Sequence, residues 1–172
     1  GAFHGCNNLQ AIEIPSSVED IGDRCFQTYQ PGDTCLKELV IPSTVTSIGA
    51  EAFRYQAALE TVTFAEGSRL ETLGTNVFSN CTSLKSITLP ANLETLSYSM
   101  FSDCTSLESI MLPSKLKTIQ TTQVSRNVDG VSVTFHLSHA FKNCTSLKYV
   151  DMWDRSLKSV STTPVCSGTA IL

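Results

Sequence analysis

The chain predicts a solenoid, a series of short coils stacked along one axis, and three observations carry that prediction. Residues 78–96, FSNCTSLKSITLPANLETL, are almost restated 23 residues later at 101–119 as FSDCTSLESIMLPSKLKTI. The underlying spacing recurs six times between Phe3 and Val160: Phe, Cys three later, Leu six later, aliphatics at nine and eleven, Pro at twelve, aliphatics at fifteen and eighteen. Ahead of each Pro, aliphatic residues recur at every second position, the period of a strand. Self-similarity of this kind marks an array whose units bury one another, because one short coil cannot bury enough surface to offset its ordering entropy.

Three copies obey the template throughout, beginning at Phe3, Phe78 and Phe101. Three depart from it. After Phe26 four extra residues precede Leu36 and the template Cys is missing; after Phe53, Gln56 replaces Cys, Ala65 replaces Pro, and two extra residues precede Leu70. The copy at Phe141 carries Trp153 in place of Pro and runs one residue late thereafter.

Within one copy, Leu84 to Leu89 has the form L-x-x-I-x-L. As a strand it puts Ile87 and Leu89 on one face and Ser86 and Thr88 on the other. Parallel stacking at about 4.8 Å would then align Ile12, Leu39, Val62, Ile87, Ile110 and Val150 in one aliphatic row, each worth roughly 1.5–3 kcal/mol once covered. A Pro after the strand has no N–H to donate and so ends ladder pairing at the same place in each coil.

The register F-x-x-C-x-x-L-x-x-I-x-L-P-x-x-[VL]-x-x-[IL] resembles the BspA-like class of leucine-rich repeats, common in bacterial and some protist surface proteins. The likeness covers six units and departs at Gln56, Ala65, Trp153 and the insertions. It implies a leucine-rich repeat solenoid, an α/β or mostly β horseshoe of about six 23-residue repeats. Parallel strands would form its concave face, with short helical or irregular turns on the convex side. It also implies adhesion or protein binding at a cell surface or in a secreted protein.

Length and charge narrow the field. A net charge of -4 with 16% charged residues leaves no basic footprint for nucleic acid, and no apolar run is long enough to span a membrane. No linker interrupts the register, so residues 1–172 read as a single array, and its start inside the template at Gly-Ala-Phe suggests a fragment of a longer protein. A long insertion separates Ile119 from Phe141. Within it Asp129-Gly130 lies between alternating residues, which predicts an inserted β-hairpin at 120–140.

Seven cysteines invite a disulfide or metal reading. Cys6, Cys81, Cys104 and Cys144 share one template position, which predicts a buried row of small apolar fillers with parallel sulfurs that neither pair nor converge on an ion. Cys25 reads as filler too, with a Cys25 to Cys35 bridge as an open alternative. His136 and His139 form H-L-S-H with no third ligand at recognised spacing, so no metal or cofactor is expected. Asn80-Cys81-Thr82 and Asn143-Cys144-Thr145 match a glycosylation acceptor but are assigned to a core-facing turn. No catalytic motif is present, and the chain is not expected to be an enzyme.

Function is expected on the outward strand positions, which a solenoid leaves free of any core role. The candidate partner-binding residues there are Glu13, Glu38, Met111, Tyr149, Asp151 and Trp153; in the insertion they are Arg126, Asp129 and His136. The partner expected is a protein or glycan, such as a host cell-surface or extracellular-matrix protein, and not nucleic acid. The alternative is a set of purely structural spacer repeats.

Overall fold

The computed structural model describes residues 1–29, 36–128, 131–138 and 140–152. Cys35, Asp129, His139, Trp153 and Cys166 therefore lie outside the described residues. Twelve strands are described, in chain order β1 Asp20–Ile21, β2 Glu38–Ile41, β3 Ser47–Ile48, β4 Thr61–Phe64, β5 Thr72–Leu73, β6 Ser86–Thr88, β7 Thr95–Leu96, β8 Ser109–Leu112, β9 Thr118–Ile119, β10 Thr121–Val128, β11 Val131–Ser138 and β12 Tyr149–Met152.

The strands before the template Pro form one parallel sheet in the order β2-β4-β6-β8-β12. Its register joins equivalent positions: Leu39 to Val62, Val62 to Ile87, Ile87 to Ile110, and Ile110 to Val150. The two-residue strands after Pro make shorter parallel ladders on another side of the coil, β1-β3-β5 and β7-β9. β10 and β11 pair antiparallel from Thr121 with Ser138 to Val128 with Val131. The fold is a parallel-strand solenoid of the leucine-rich repeat kind.

No helix occurs among the described residues, so the connections are irregular turns throughout. The turns show why. Main-chain bonds closing three-residue steps recur in each coil, as from Cys81 N to Phe78 O at 3.2 Å, Leu84 N to Cys81 O at 3.1 Å and Leu93 N to Pro90 O at 3.3 Å. Between them, residues two before or two after the template Phe take positive φ: Glu51 and Tyr55, Asn76 and Asn80, Ser99 and Asp103, and Asn143. A left-handed residue every few positions breaks any helical run. At the second of these positions Gly5, Asn80, Asp103 and Asn143 are residue types that tolerate it.

A third coil-to-coil ladder runs along the Phe side, where Phe53 N donates to Val77 O at 3.0 Å and Phe78 N to Met100 O at 2.9 Å. The rings follow it. Phe3, Phe26, Phe53, Phe78, Phe101 and Phe141 stack in one file, with centroids 5.1–5.7 Å apart and planes within 9°. Centroid separations in that range suit offset stacking. Phe53, Phe78 and Phe101 are fully buried beside the leucine row Leu36, Leu59, Leu84 and Leu107.

The first coil departs from expectation. Ala11–Ile14 is not a strand, although Ile12 and Ile14 pack half-buried against the core. In the first coil Cys6 is exposed, against the expected buried row, and Phe3 is 39% exposed.

Candidate functional site

The outward face of the five-stranded sheet carries Glu38 and Val40, Thr61 and Thr63, Ser86 and Thr88, Ser109 and Met111, and Tyr149, with their strand neighbours Leu39, Val62, Ile87 and Ile110 turned into the core. Most are small hydroxyls. Tyr149 at 62% and Val40 at 58% exposure are the large apolar surfaces there. The register sets Tyr149 beside Ser109 and Asp151 beside Met111, whose own side chain is half-buried. Glu38 joins this face, whereas Glu13 is exposed on a stretch outside the sheet. Arg126 and His136 belong to the antiparallel pair, opposite Val133 and Gln123, so neither shares the parallel sheet with Tyr149.

One rim of this face is a column of charges that sequence reasoning missed. From the second coil on, the residue after the template Leu reads Lys37, Glu60, Lys85, Glu108, Lys148. Lys85 Nζ meets Glu60 at 3.0 Å and Lys148 Nζ meets Glu108 at 3.4 Å. The hydrogen bond and charge of Lys85, with Lys37 beyond, hold the Glu60 carboxyl below the usual carboxylate range. Alternation of sign leaves the rim locally neutral, so it offers no patch for a strongly charged partner.

Inside the coil, the cysteines do more than fill space. Sγ of Cys81, Cys104 and Cys144 donates to the carbonyl of the preceding coil's Phe, at 3.4 Å to Phe53, 3.1 Å to Phe78 and 3.0 Å to Phe101. Burial, reinforced by the flanking Cys81 and Cys144, pushes the Cys104 thiol well up, so it stays protonated and able to donate. The described cysteines are thiols, including Cys25, and no group of three or more His, Cys, Asp or Glu gathers among the described residues.

Gln56 explains its own departure. Its Nε2 donates to Phe26 O, the bond a template Cys would make, and its Oε1 accepts from Leu36 N at 3.1 Å, immediately after the insertion in coil 2. One amide thus ties coil 3 to coil 2, neither of which carries the template Cys. The glycosylation motifs need one correction. Cys81 and Cys144 are buried, yet Asn143 and Thr145 are exposed, so the second motif does not lie in a core-facing turn. The left-handed Asn143 swings its side chain outward, where Nδ2 donates to Asp103 at 2.7 Å.

The junction of coils 3 and 4 departs from the regular pairing of the sheet. β4 pairs β2 through four residues but β6 through only two, Thr61 with Ser86 and Val62 with Ile87. β5 and β7, which would continue the second ladder, fall in separate sheets. Ala65, where four other coils have Pro, donates its N–H to Ile41 O at 2.9 Å and so prolongs pairing toward coil 2. The turn that follows closes with Ser68 N donating to Ala65 O at 3.1 Å. A cavity of about 500 Å³ opens there, bounded by Thr61–Ala65 on one coil and Ser86–Asn92 on the other.

These features define a leucine-rich repeat array with one exposed parallel sheet face and one opened junction. The chain belongs to the family described as BspA type leucine rich repeat region, whose model matches six copies over residues 1–35 and 29–148. Among solved structures it is similar to a Treponema pallidum leucine rich repeat protein, with TM-score 0.58 and 21% identity over 78% of this chain and 63% of that one. A Bacteroides ovatus leucine-rich repeat protein matches with TM-score 0.54 and 26% identity, over 87% of this chain and 39% of the other. The pneumococcal vaccine antigen PcpA matches with TM-score 0.56 and 24% identity, over 85% and 38%. The chain thus spans less than two thirds of the length of each of these proteins. Comparison with curated protein sequences found no significant match.

Proposed function

We infer that this chain is a non-enzymatic interaction module of a cell-surface or secreted protein, engaging a protein or glycan partner through the outward face of its five-stranded sheet. The observation that carries this reading is the division of labour in each strand. Inward residues build one continuous core, while the outward ones are free to vary without cost to it. Tyr149, 62% exposed and in register with Ser109, supplies the aromatic anchor on which interface energies concentrate. Family membership supports the class, since likeness in fold warrants function only at that level. The inserted strands, with Arg126, Asp129 and His136, flank the coil that bears Tyr149 in sequence and are proposed as a second contact.

The test is a pull-down against extracellular-matrix and cell-surface proteins, followed by titration of any saturable partner. Tyr149→Ala and Met111→Ala together should weaken binding by about 2 kcal/mol or more, a factor near 30. The small hydroxyls that dominate the rest of the face favour one rival, a spacer without a ligand of its own. Absence of any saturable partner for the natively folded chain would support that rival.

A further inference from the structure

The opened junction between coils 3 and 4 is built differently from the rest of the sheet face, and its chemistry is specific. Its lining includes Thr63, Ser68, Thr88 and Asn92 together with Phe64, whose half-buried ring packs partly against the core, and no ionisable side chain lines it. In coils 2, 4 and 5 the position of Phe64 is held by the buried aliphatics Ile41, Leu89 and Leu112. An aromatic there, left half-buried, is a departure that coincides with the lost Pro and the two added residues.

We propose that this cleft binds a neutral saccharide, one or two rings of a glycan, and that the irregularities of coil 3 exist to form it. A cavity of about 500 Å³ lies within the range of ligand sites, roughly 300–1,000 Å³. Hydroxyl groups both donate and accept, and so does an amide, which is the pairing that sugar hydroxyls require. An ionic ligand would surrender hydration here without meeting a counter-charge, and a purely apolar one would strand the hydroxyls unpaired. The aromatic wall suits the apolar C–H face of a pyranose ring. Asn92 is held in place from both sides, since its Nδ2 donates to Ser68 O at 3.3 Å across the gap and its Oδ1 accepts from Lys115 Nζ at 3.0 Å.

The proposal deepens the interaction-module reading and rests on it only for the premise that the array binds something outside itself. The experiment is a glycan array probed with the whole chain, followed by NMR or calorimetric titration with the best neutral oligosaccharide. Phe64→Leu restores the repeat's aliphatic residue, and Thr88→Val keeps the side-chain shape without the hydroxyl. Each should weaken binding about fivefold or more, the loss of one hydrogen bond or ring contact. Glu19→Gln, exposed on the first coil, should leave it unchanged, and circular dichroism melts confirm that all three fold. An array that selects sulfated or sialylated glycans, or none, overturns the proposal, as does neutral-glycan binding indifferent to both cleft variants. A protein partner that tolerates the cleft variants but not Tyr149→Ala sinks the saccharide while leaving the interaction module standing.

Discussion

Gln56 offers the sharpest test of how these coils are joined. It is almost wholly buried at 3% exposure and makes two bonds to main chain: Nε2 to Phe26 O, and Oε1 from Leu36 N at 3.1 Å. Gln56→Ala strips both at once. Leu36 is itself fully buried, so its amide would lose its described partner where water does not replace it. Stranding a buried main-chain donor or acceptor costs about 1–3 kcal/mol each, and the emptied volume adds to that, for a loss of about 3–5 kcal/mol. Gln56→Cys puts back the template residue. A thiol at this position can donate to Phe26 O as Cys81 does to Phe53 O at 3.4 Å, but it cannot reach the amide of Leu36, so about half of the loss should remain. Urea denaturation followed by far-ultraviolet circular dichroism measures both variants. For a chain of 172 residues the alanine variant should also melt roughly 6–20 °C lower. If Gln56→Ala costs under about 1 kcal/mol, or if the cysteine variant is no better than alanine, the account of Gln56 as a two-coil tie is wrong.

Two further outcomes follow from the packing between coils. A Cβ on Gly74 would come within 2.4 Å of Ala50 N, whereas one on Gly22 meets nothing within 4 Å. Gly74→Ala should therefore destabilise by about 1–3 kcal/mol while Gly22→Ala is neutral or gains a few tenths, and equal midpoints in urea would contradict the close approach. The thiols should divide in the same spirit, with exposed Cys6 alkylated quickly at pH 8 and buried Cys81, Cys104 and Cys144 alkylated only on unfolding, as read by mass spectrometry. The raised pKa of Cys104 also makes stability depend on pH. The unfolded thiol ionises near its ordinary value of about 8.5, so the contribution is complete below that and is lost as pH rises toward the folded value. Stability should fall between pH 8 and pH 10 less steeply in Cys104→Val than in the parent, and an unchanged slope would remove Cys104 as its source.

Much of this architecture could be read directly from residues 78–119, because the template positions there carry one physical demand each. Ile87 and Ile110 must face inward, Pro90 and Pro113 must end pairing, and Phe78 and Phe101 must stack. What escaped were demands that residue type disguises. Cysteine looks like a small apolar filler, and only the geometry of Sγ against the preceding Phe carbonyl reveals a donor. Gln56 therefore reads as a lapse in an apolar row, when it preserves the bond and changes the atom that makes it. A signal for this was present: a buried polar residue opposite a coil that has lost its Cys. The left-handed positions were also visible as the Gly, Asn or Asp two residues after Phe, in Gly5, Asn80, Asp103 and Asn143, but Tyr55 in the same place hid the pattern. The charge column was invisible to a search for motifs, since Lys37, Glu60, Lys85, Glu108 and Lys148 are many residues apart and meet only after the register is known.

The departures of coil 3 are not scattered, and that distribution bears on function. Gln56 repairs the contact with coil 2, and Ala65 adds an N–H that strengthens the same side by bonding Ile41 O at 2.9 Å. On its other side, toward coil 4, the same coil gives up strand pairs and the continuity of the second ladder. A random loss of repeat character would weaken both junctions. Here one junction is reinforced while the other is opened, and the opened one gains an aromatic and a hollow lined partly by hydroxyl residues. Restoring Pro at Ala65 and deleting Glu66 and Gly67 should shut that hollow and tighten the array, separating what coil 3 contributes to stability from what it contributes to binding.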